Sequence, residues 1–380
     1  MGYNQKAFFA LVRAGLWEQN VRLVSFGKID YFEVLRLAEE QSVVGLVTAG
    51  LERVVDINVP KEEVFQFISQ TLQIEQRNLS MNEFVARLIE LLHKEDINAV
   101  LVKGQGIAQC YEKPLWRASG DIDLLLSSEN YEKAKSLLLP LAIDVETEYS
   151  YMKHQGMTIL EAFGTSDQGR VNGWLVELHG TLHSRLSKRV DRVIDEAQED
   201  VCGGNVRSWM NGNTILSLPS PDNDAVFIFT HIIHHFFFEG IGMRQICDWC
   251  RLLWTYRASL NHGLLESRIK AMGIMTEWKA FAAYAVEYLG MPVESMPLYS
   301  SDDCWKRKSR KINAFILDVG NFGHKQRRNY NGMSYVVRKF ISFWGRLSDM
   351  LRHFMIFPKD SIVFFGGVLW SGLYAAVRGE

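Results

Sequence analysis

The sequence predicts an α+β architecture, with a central mixed sheet between an N-terminal and a C-terminal helical region. Three observations carry this. Apolar residues keep helical spacing through residues 1–97; short glycine-bounded apolar segments alternate with helical stretches over 98–219; helical spacing resumes from Ser220-Pro221-Asp222 onward. A chain of 380 residues also exceeds the roughly 250–300 that one core usually supports. Three regions are therefore expected, at 1–97, 98–219 and 220–380.

In the first region Asp30 is placed to cap a helix, with Glu33 three residues later as in a capping box and Phe32, Leu35 and Leu37 as apolar positions. Pro60 suits the first turn of a long helix, and Glu62 and Glu63 suit its dipole. Val64, Phe67, Ile68, Leu72, Phe84, Leu88, Ile89 and Leu92 continue the helical period. In the second region Ala99–Val102, Ile122–Leu126 and Trp174–Leu178 read as strands. Lys103-Gly104-Gln105-Gly106 leads from the first into a short helix near 107–111. Ser127-Ser128 offers a cap for a helix over 131–139. Val206–Met210 and Thr214–Leu218 flank Asn211-Gly212-Asn213, a hairpin signal.

With 47% apolar and 23% charged residues the composition is that of a globular protein. A net charge of −2 excludes a uniformly basic coat protein. Five scattered cysteines form no disulfide framework, and no secretory leader pattern is expected, so a reducing, cytoplasmic setting is anticipated. Cys247 and Cys250 form a single pair without a second, which favours packing over zinc binding. His231, His234 and His235 include an i, i+4 pair that could bind metal, but without the Glu of a His-Glu-x-x-His motif packing and hydrogen bonding are favoured. Residues 361–377 are uncharged but shorter than the ~20 a spanning helix needs, so no membrane span is expected.

The chemistry concentrates in Arg117-Ala118-Ser119-Gly120-Asp121-Ile122-Asp123. Side chains alternate along a strand, so Asp121 and Asp123 share a face, and two close carboxylates suit a hard cation such as Mg²⁺. In Trp174–His179 the same alternation sets Leu175, Glu177 and His179 opposite Trp174, Val176 and Leu178. An acid within so apolar a segment needs a partner. Were this strand beside 122–126, Glu177 would complete a three-carboxylate metal site. The glycines of Lys103-Gly104-Gln105-Gly106 would let backbone approach phosphates, or serve the turn alone.

These segments together resemble the nucleotidyltransferase superfamily that includes polymerase beta. Val102-Lys103-Gly104, Arg117–Asp123 and Val176-Glu177-Leu178-His179 look like a poorly characterised bacterial nucleotidyltransferase family, and Gly240–Trp249 looks like its second motif. The resemblance runs from about Val102 to Trp249. It implies a nucleotidyltransferase-like sheet in which Asp121, Asp123 and Glu177 are catalytic and hold two Mg²⁺ ions. A nucleoside triphosphate would be attacked by an acceptor hydroxyl and pyrophosphate released. Lys103, Gly104, Gln105, Gly106, Arg117, Ser119 and Gly120 would face the nucleotide and its phosphates, although Arg117 could instead pair with the two aspartates. His179 could orient Glu177 or face the core. Arg244 and Asp248 could face the substrate or pair with each other along a helix. The superfamily's Gly-Gly or Gly-Ser turn is Gly104-Gln105-Gly106 here, without a hydroxyl, and Glu177 stands where Asp is more common. The alternative is a nucleotidyltransferase-fold binding or regulatory protein without catalysis.

The near-neutral sum conceals an imbalance. Residues 306–352 hold 12 Lys/Arg against Asp318 and Asp349. Ile312, Phe315, Ile316 and Val319, then Val337, Phe340, Ile341, Trp344, Leu347 and Leu351, keep helical spacing, which leaves the basic residues on outer faces. They form a solvated surface or a binding face for an anionic acceptor.

Overall fold

The computed structural model describes residues 2–146, 153–160, 173–184, 186–320 and 351–364. Four helices lead: α1 (Tyr3–Trp17), α2 (Tyr31–Glu40), α3 (Val44–Leu51) and the 34-residue α4 (Lys61–Lys94). The sheet follows, built from β1 (Ala99–Val102), β2 (Asp121–Leu126), β3 (Ala142–Val145), β4 (His154–Leu160), β5 (Gly173–His179), β6 (Val206–Asn211) and β7 (Thr214–Pro219). Between strands lie α5 (Gly104–Ala108), α6 (Ser128–Leu138) and α7 (Lys188–Cys202). After them come α8 (Pro221–Phe238), α9 (Met243–Thr255), α10 (His262–Met272), α11 (Met275–Leu289) and α12 (Asp303–Val319).

The seven strands run in the order β3-β4-β5-β2-β1-β7-β6. β2 pairs parallel to β5 and β1 parallel to β7, while β1–β2, β4–β5, β3–β4 and β6–β7 are antiparallel, so the sheet is mixed as expected. Alternation splits its side chains cleanly. Leu101, Ile122, Leu124, Leu126, Met157, Ile159, Trp174, Val176 and Leu178 form one core with the second half of α4 and with α6. Val102 and Leu125 face the other way, into a larger core that joins α1–α3 to α8–α12. The site lies on this second face.

Local signals account for several boundaries. The Asp30 side chain accepts from Glu33 N at 3.2 Å, and Ser127 accepts from Asn130 N at 3.3 Å, so both expected caps form. Gly212, at φ 61°, makes the β6–β7 turn. α1 and α3 cross closely enough that a Cβ on Gly15 would lie 2.0 Å from the Leu46 carbonyl oxygen. The C-terminal carbonyls of α11 are met from α1, with Arg13 Nε donating to Tyr288 O at 2.7 Å and Trp17 Nε1 to Leu289 O at 2.6 Å.

Some expectations from spacing are corrected. Phe32, Ile68 and Leu72 are exposed, because α2 turns Val34, Leu35 and Leu37 inward and the first half of α4 turns Phe67 and Thr71 inward. There Thr71 bonds Thr48 across the helix contact at 2.7 Å. The helix after β1 begins at Gly104, earlier than expected. Ile312, Phe315, Ile316 and Val319 are buried as anticipated. Two of the α12 cations are not simply solvated: Lys308 and Lys311 donate to the carbonyls of Ile356 and Met355. Residues 321–350 and 365–380, with the remaining apolar positions of the basic region except Leu351 and with most of 361–377, lie outside the described residues. No helix among the described residues is long and apolar enough to cross a membrane.

One buried pair reports on pH. Asp224 in α8 lies 2.6 Å from Arg207 of β6. Burial pushes its carboxyl up to about 6, with Arg207 opposing. The folded state thus keeps this proton where the unfolded chain loses it. The stability present below the ordinary value of 3.8 is lost as pH rises through about 6. Asp224→Asn cannot titrate, and its urea-unfolding free energy should gain up to about 3 kcal/mol on the parent's between about pH 4 and 6.5. Parallel pH profiles for the two proteins refute this.

Candidate active site

The register of β2 against β5 builds the site. Asp121 is level with Leu175, Asp123 with Glu177 and Leu125 with His179, so Asp121, Asp123, Glu177 and His179 project from one face. β5 does neighbour β2, as the three-carboxylate reading required. Val102 pairs with Asp123 across β1–β2, and the next residue, Lys103, turns into the site. Lys103 has φ 57° and Gly104 φ 33°, so this turn uses left-handed backbone at two successive positions. Gly106 also packs closely: a Cβ there would lie 2.8 Å from the Leu218 side chain of β7.

Asp123 is 4% exposed and shares one oxygen between two donors. Lys103 Nζ lies 3.1 Å and His179 Nε2 2.8 Å from Asp123 Oδ1. Burial alone would raise its carboxyl pKa, but Lys103 and the His179 hydrogen bond hold it below the usual range. Glu177 is likewise disfavoured by burial, yet hydrogen bonds from His154 and His179 draw it well down. Asp121 moves the other way. Burial and the neighbouring charges of Asp123 and Glu177 raise it. Burial lowers Lys103 and His179, but the acids around them outweigh it and raise both. The face thus carries more negative charge than its own lysine satisfies.

His154 was not singled out from the sequence. It opens β4 directly opposite His179, with Nε2 3.2 Å from Glu177 Oε2 and the two rings 4.8 Å apart. Its signal was the alternation of Met157 and Ile159 with His154, Gly156 and Thr158, which marks a half-buried strand.

Behind the acids, Arg117 resolves an open alternative. Its ion-pair partner is Asp248 of α9, through Nε at 3.1 Å and Nη2 at 2.6 Å, and neither Asp121 nor Asp123. Tyr111 donates to the same carboxylate at 2.7 Å. The intrahelical Arg244–Asp248 pairing is therefore corrected: Asp248 is taken by this fork, and Arg244 Nη1 instead donates to Ala118 O at 2.8 Å. Ser119 Oγ accepts from Arg117 Nη1 at 2.7 Å and donates to Gln105 Oε1 at 2.9 Å. Gln105 Nε2 reaches Asn78 Oδ1 at 3.3 Å, and Asn78 Nδ2 donates to Arg117 O at 2.7 Å. A hydroxyl does stand beside the Gly104–Gly106 turn, supplied by Ser119. Gly120 precedes β2 with open space where a Cβ would be.

Other clusters behave as packing. Cys247 and Cys250 are free, buried thiols, and burial raises both. His235 faces Glu239 at 2.9 Å, and burial lowers His231 well below its ordinary range.

An acidic Asp-x-Asp strand paired in parallel with a strand bearing a third carboxylate, beside a glycine turn, is a nucleotidyltransferase-like arrangement. The chain belongs to the uncharacterised nucleotidyltransferase family, whose model matches residues 27–290. That match extends the resemblance of Val102–Trp249 into α2–α4 on one side and to the end of α11 on the other. No curated protein matches the chain. Among solved structures it is similar to an antigenic nucleotidyltransferase-like protein from Paracoccidioides brasiliensis, with 12% identity and a TM-score of 0.35, covering 55% of this chain and 93% of that one.

The Arg117–Asp248 fork ties the segment entering β2 to α9. Asp248→Ala leaves a buried guanidinium unpaired and should cost about 3–5 kcal/mol in urea unfolding. Arg117→Met combined with Asp248→Leu should recover part of that loss. A single-mutant cost below about 1 kcal/mol contradicts the buried pairing.

Proposed function

We propose that the protein is a Mg²⁺-dependent nucleotidyltransferase that moves a nucleoside monophosphate from a nucleoside triphosphate to an acceptor hydroxyl. The observation that carries this reading is the register placing Asp121, Asp123 and Glu177 on one sheet face. Three carboxylates are hard oxygen donors of the kind magnesium takes, and the raised Asp121 carboxyl marks negative charge that a dication relieves. Asp121 and Asp123 would hold two ions, with Glu177 as a further ligand. Bound there, the metal supplies charge neutralisation for the phosphates and acidifies the acceptor hydroxyl.

The remaining roles belong to the chain's own residues. The acceptor oxygen bonds to the α-phosphorus as the bond to the pyrophosphate oxygen breaks, and the hydroxyl proton passes to a neighbouring base or to solvent. Lys103 would move its ammonium between Asp123 and phosphate oxygens. Gly104, Gln105, Gly106 and Gly120 would bring backbone close to the nucleotide. Arg117 and Ser119 would hold that wall in place, their side chains being committed to Asp248 and Gln105. His179 would orient Asp123 and Glu177, while Arg244 and Asp248 would shape the substrate side from α9. The basic stretch 306–352 would suit an anionic acceptor. A reducing, cytoplasmic setting would suit the odd, scattered set of five cysteines.

A second reading, a binding protein without catalysis, is favoured by one contact: the Lys103 ammonium already balances Asp123. Incubation with each labelled triphosphate, Mg²⁺ and a cell extract distinguishes the two. The parent should label an acceptor, and Asp121→Asn with Asp123→Asn should reduce labelling at least ~10³-fold while the circular dichroism spectrum is retained. Equal labelling by the double variant defeats the enzymatic reading; nucleotide binding without any labelling supports the second.

A further inference from the structure

The third-carboxylate position differs chemically from the Asp-x-Asp pair. Asp121 and Asp123 offer oxygen alone. Glu177 stands between two imidazoles, with Oε2 3.2 Å from His154 Nε2 and 3.4 Å from His179 Nε2. One ligand atom from each of the three residues falls within 4.8 Å of the others. Donors held ~2.0–2.2 Å from one ion stand roughly 3–3.5 Å apart, so the two nitrogen–oxygen separations already suit a common ion.

We propose that His154, Glu177 and His179 form a binding site for a divalent transition-metal ion, which shares Glu177 with the proposed magnesium ligands and adds two imidazole nitrogens to it. All three come from paired strands rather than loops: His154 opposes His179 across β4–β5, and Gly156 opposes Glu177. That scaffold fixes the donors before an ion arrives. Imidazole nitrogen suits Fe²⁺, Ni²⁺ or Zn²⁺, while Mn²⁺ also takes carboxylate oxygen and serves as the spin probe; Mg²⁺ takes oxygen and parts reluctantly with its water. Asp123 Oδ1, 2.8 Å from His179 Nε2, borders the same place and supplies a second negative charge. With both imidazoles neutral, Glu177 and Asp123 bring two negative charges to the ion, and the Lys103 ammonium on Asp123 Oδ1 offsets one of them.

The site shares Glu177 with the proposed active site but does not depend on nucleotidyl transfer, because its test contains no nucleotide. The full chain is titrated with Mn²⁺ and, separately, Mg²⁺, with bound Mn²⁺ read by electron paramagnetic resonance. Mn²⁺ should bind at least ~10-fold more tightly than Mg²⁺, and its spin echo should carry modulation from imidazole nitrogen. His154→Ala should weaken Mn²⁺ at least ~10-fold and reduce that modulation, leaving Mg²⁺ affinity within about threefold. His154→Gln, which keeps a polar group beside Glu177, should show the same loss should the alanine variant misfold. Equal affinity for the two ions, absent nitrogen modulation, or unchanged Mn²⁺ binding in a folded His154 variant overturns the site. Absence of transferase activity in a parent protein that binds Mn²⁺ as described overturns only the nucleotidyltransferase reading.

Discussion

The buried carboxylate of Asp123 is the constraint around which the rest is arranged. An ionised acid removed from water costs several kcal/mol unless charge and hydrogen bonds are returned to it. Here both come from fixed elements: Lys103 from the end of β1 and His179 from β5 meet on a single oxygen. Lys103 arrives there only because its backbone adopts a positive φ and Gly104 continues the turn. The parallel β2–β5 register decides which residue stands beside Asp123. A slip of one residue would turn Glu177 and His179 to the apolar face and bring Val176 and Leu178 out. The core of α4 and α6 against Val176 and Leu178 therefore holds the acids in place as much as any polar contact does.

A second charge balance extends the site into the helices. Asp248 is taken by Arg117 and Tyr111, and Arg244 by the Ala118 carbonyl, so α9 grips both sides of the short segment that leads into β2. Arg251 continues the seam, donating to Cys110 O and Leu16 O at 2.7 Å each. Pieces far apart in sequence thus meet on one polar spine: the end of α1, the loop after α5 and the length of α9. The family match from 27 to 290 takes in nearly all of that spine, which fits a site whose geometry needs the helices as well as the sheet.

The sequence made the strands and acids legible because period-two alternation is local. Asp121, Asp123 and Glu177 could be assigned to faces without knowing the partners. What it could not show was pairing across distance. Arg244 and Asp248, four residues apart, look like an intrahelical pair, yet Arg117 reaches Asp248 with two bonds from 131 residues away. Helical spacing misplaced Ile68 and Leu72 for a related reason: the inward face of α4 is set by what α3 offers, and a threonine there made Thr71 the buried position. β4 went unread, and with it His154, since the strand's apolar residues are few and its role depends wholly on lying beside β5.

The glutamate at 177 can be understood from the same geometry. An aspartate there would reach one methylene less far from β5. From a position already level with Asp123, that shorter arm would serve the Asp-x-Asp side of the site. The longer arm carries Oε2 outward to both His154 and His179, at 3.2 and 3.4 Å. Those hydrogen bonds outweigh burial and keep Glu177 ionised. Asp121, which accepts from no such donor among the described residues, is raised by burial and by the charges of Asp123 and Glu177. The length of one side chain thus divides the acidic face into a half lined with imidazole nitrogen and a half of carboxylate oxygen alone.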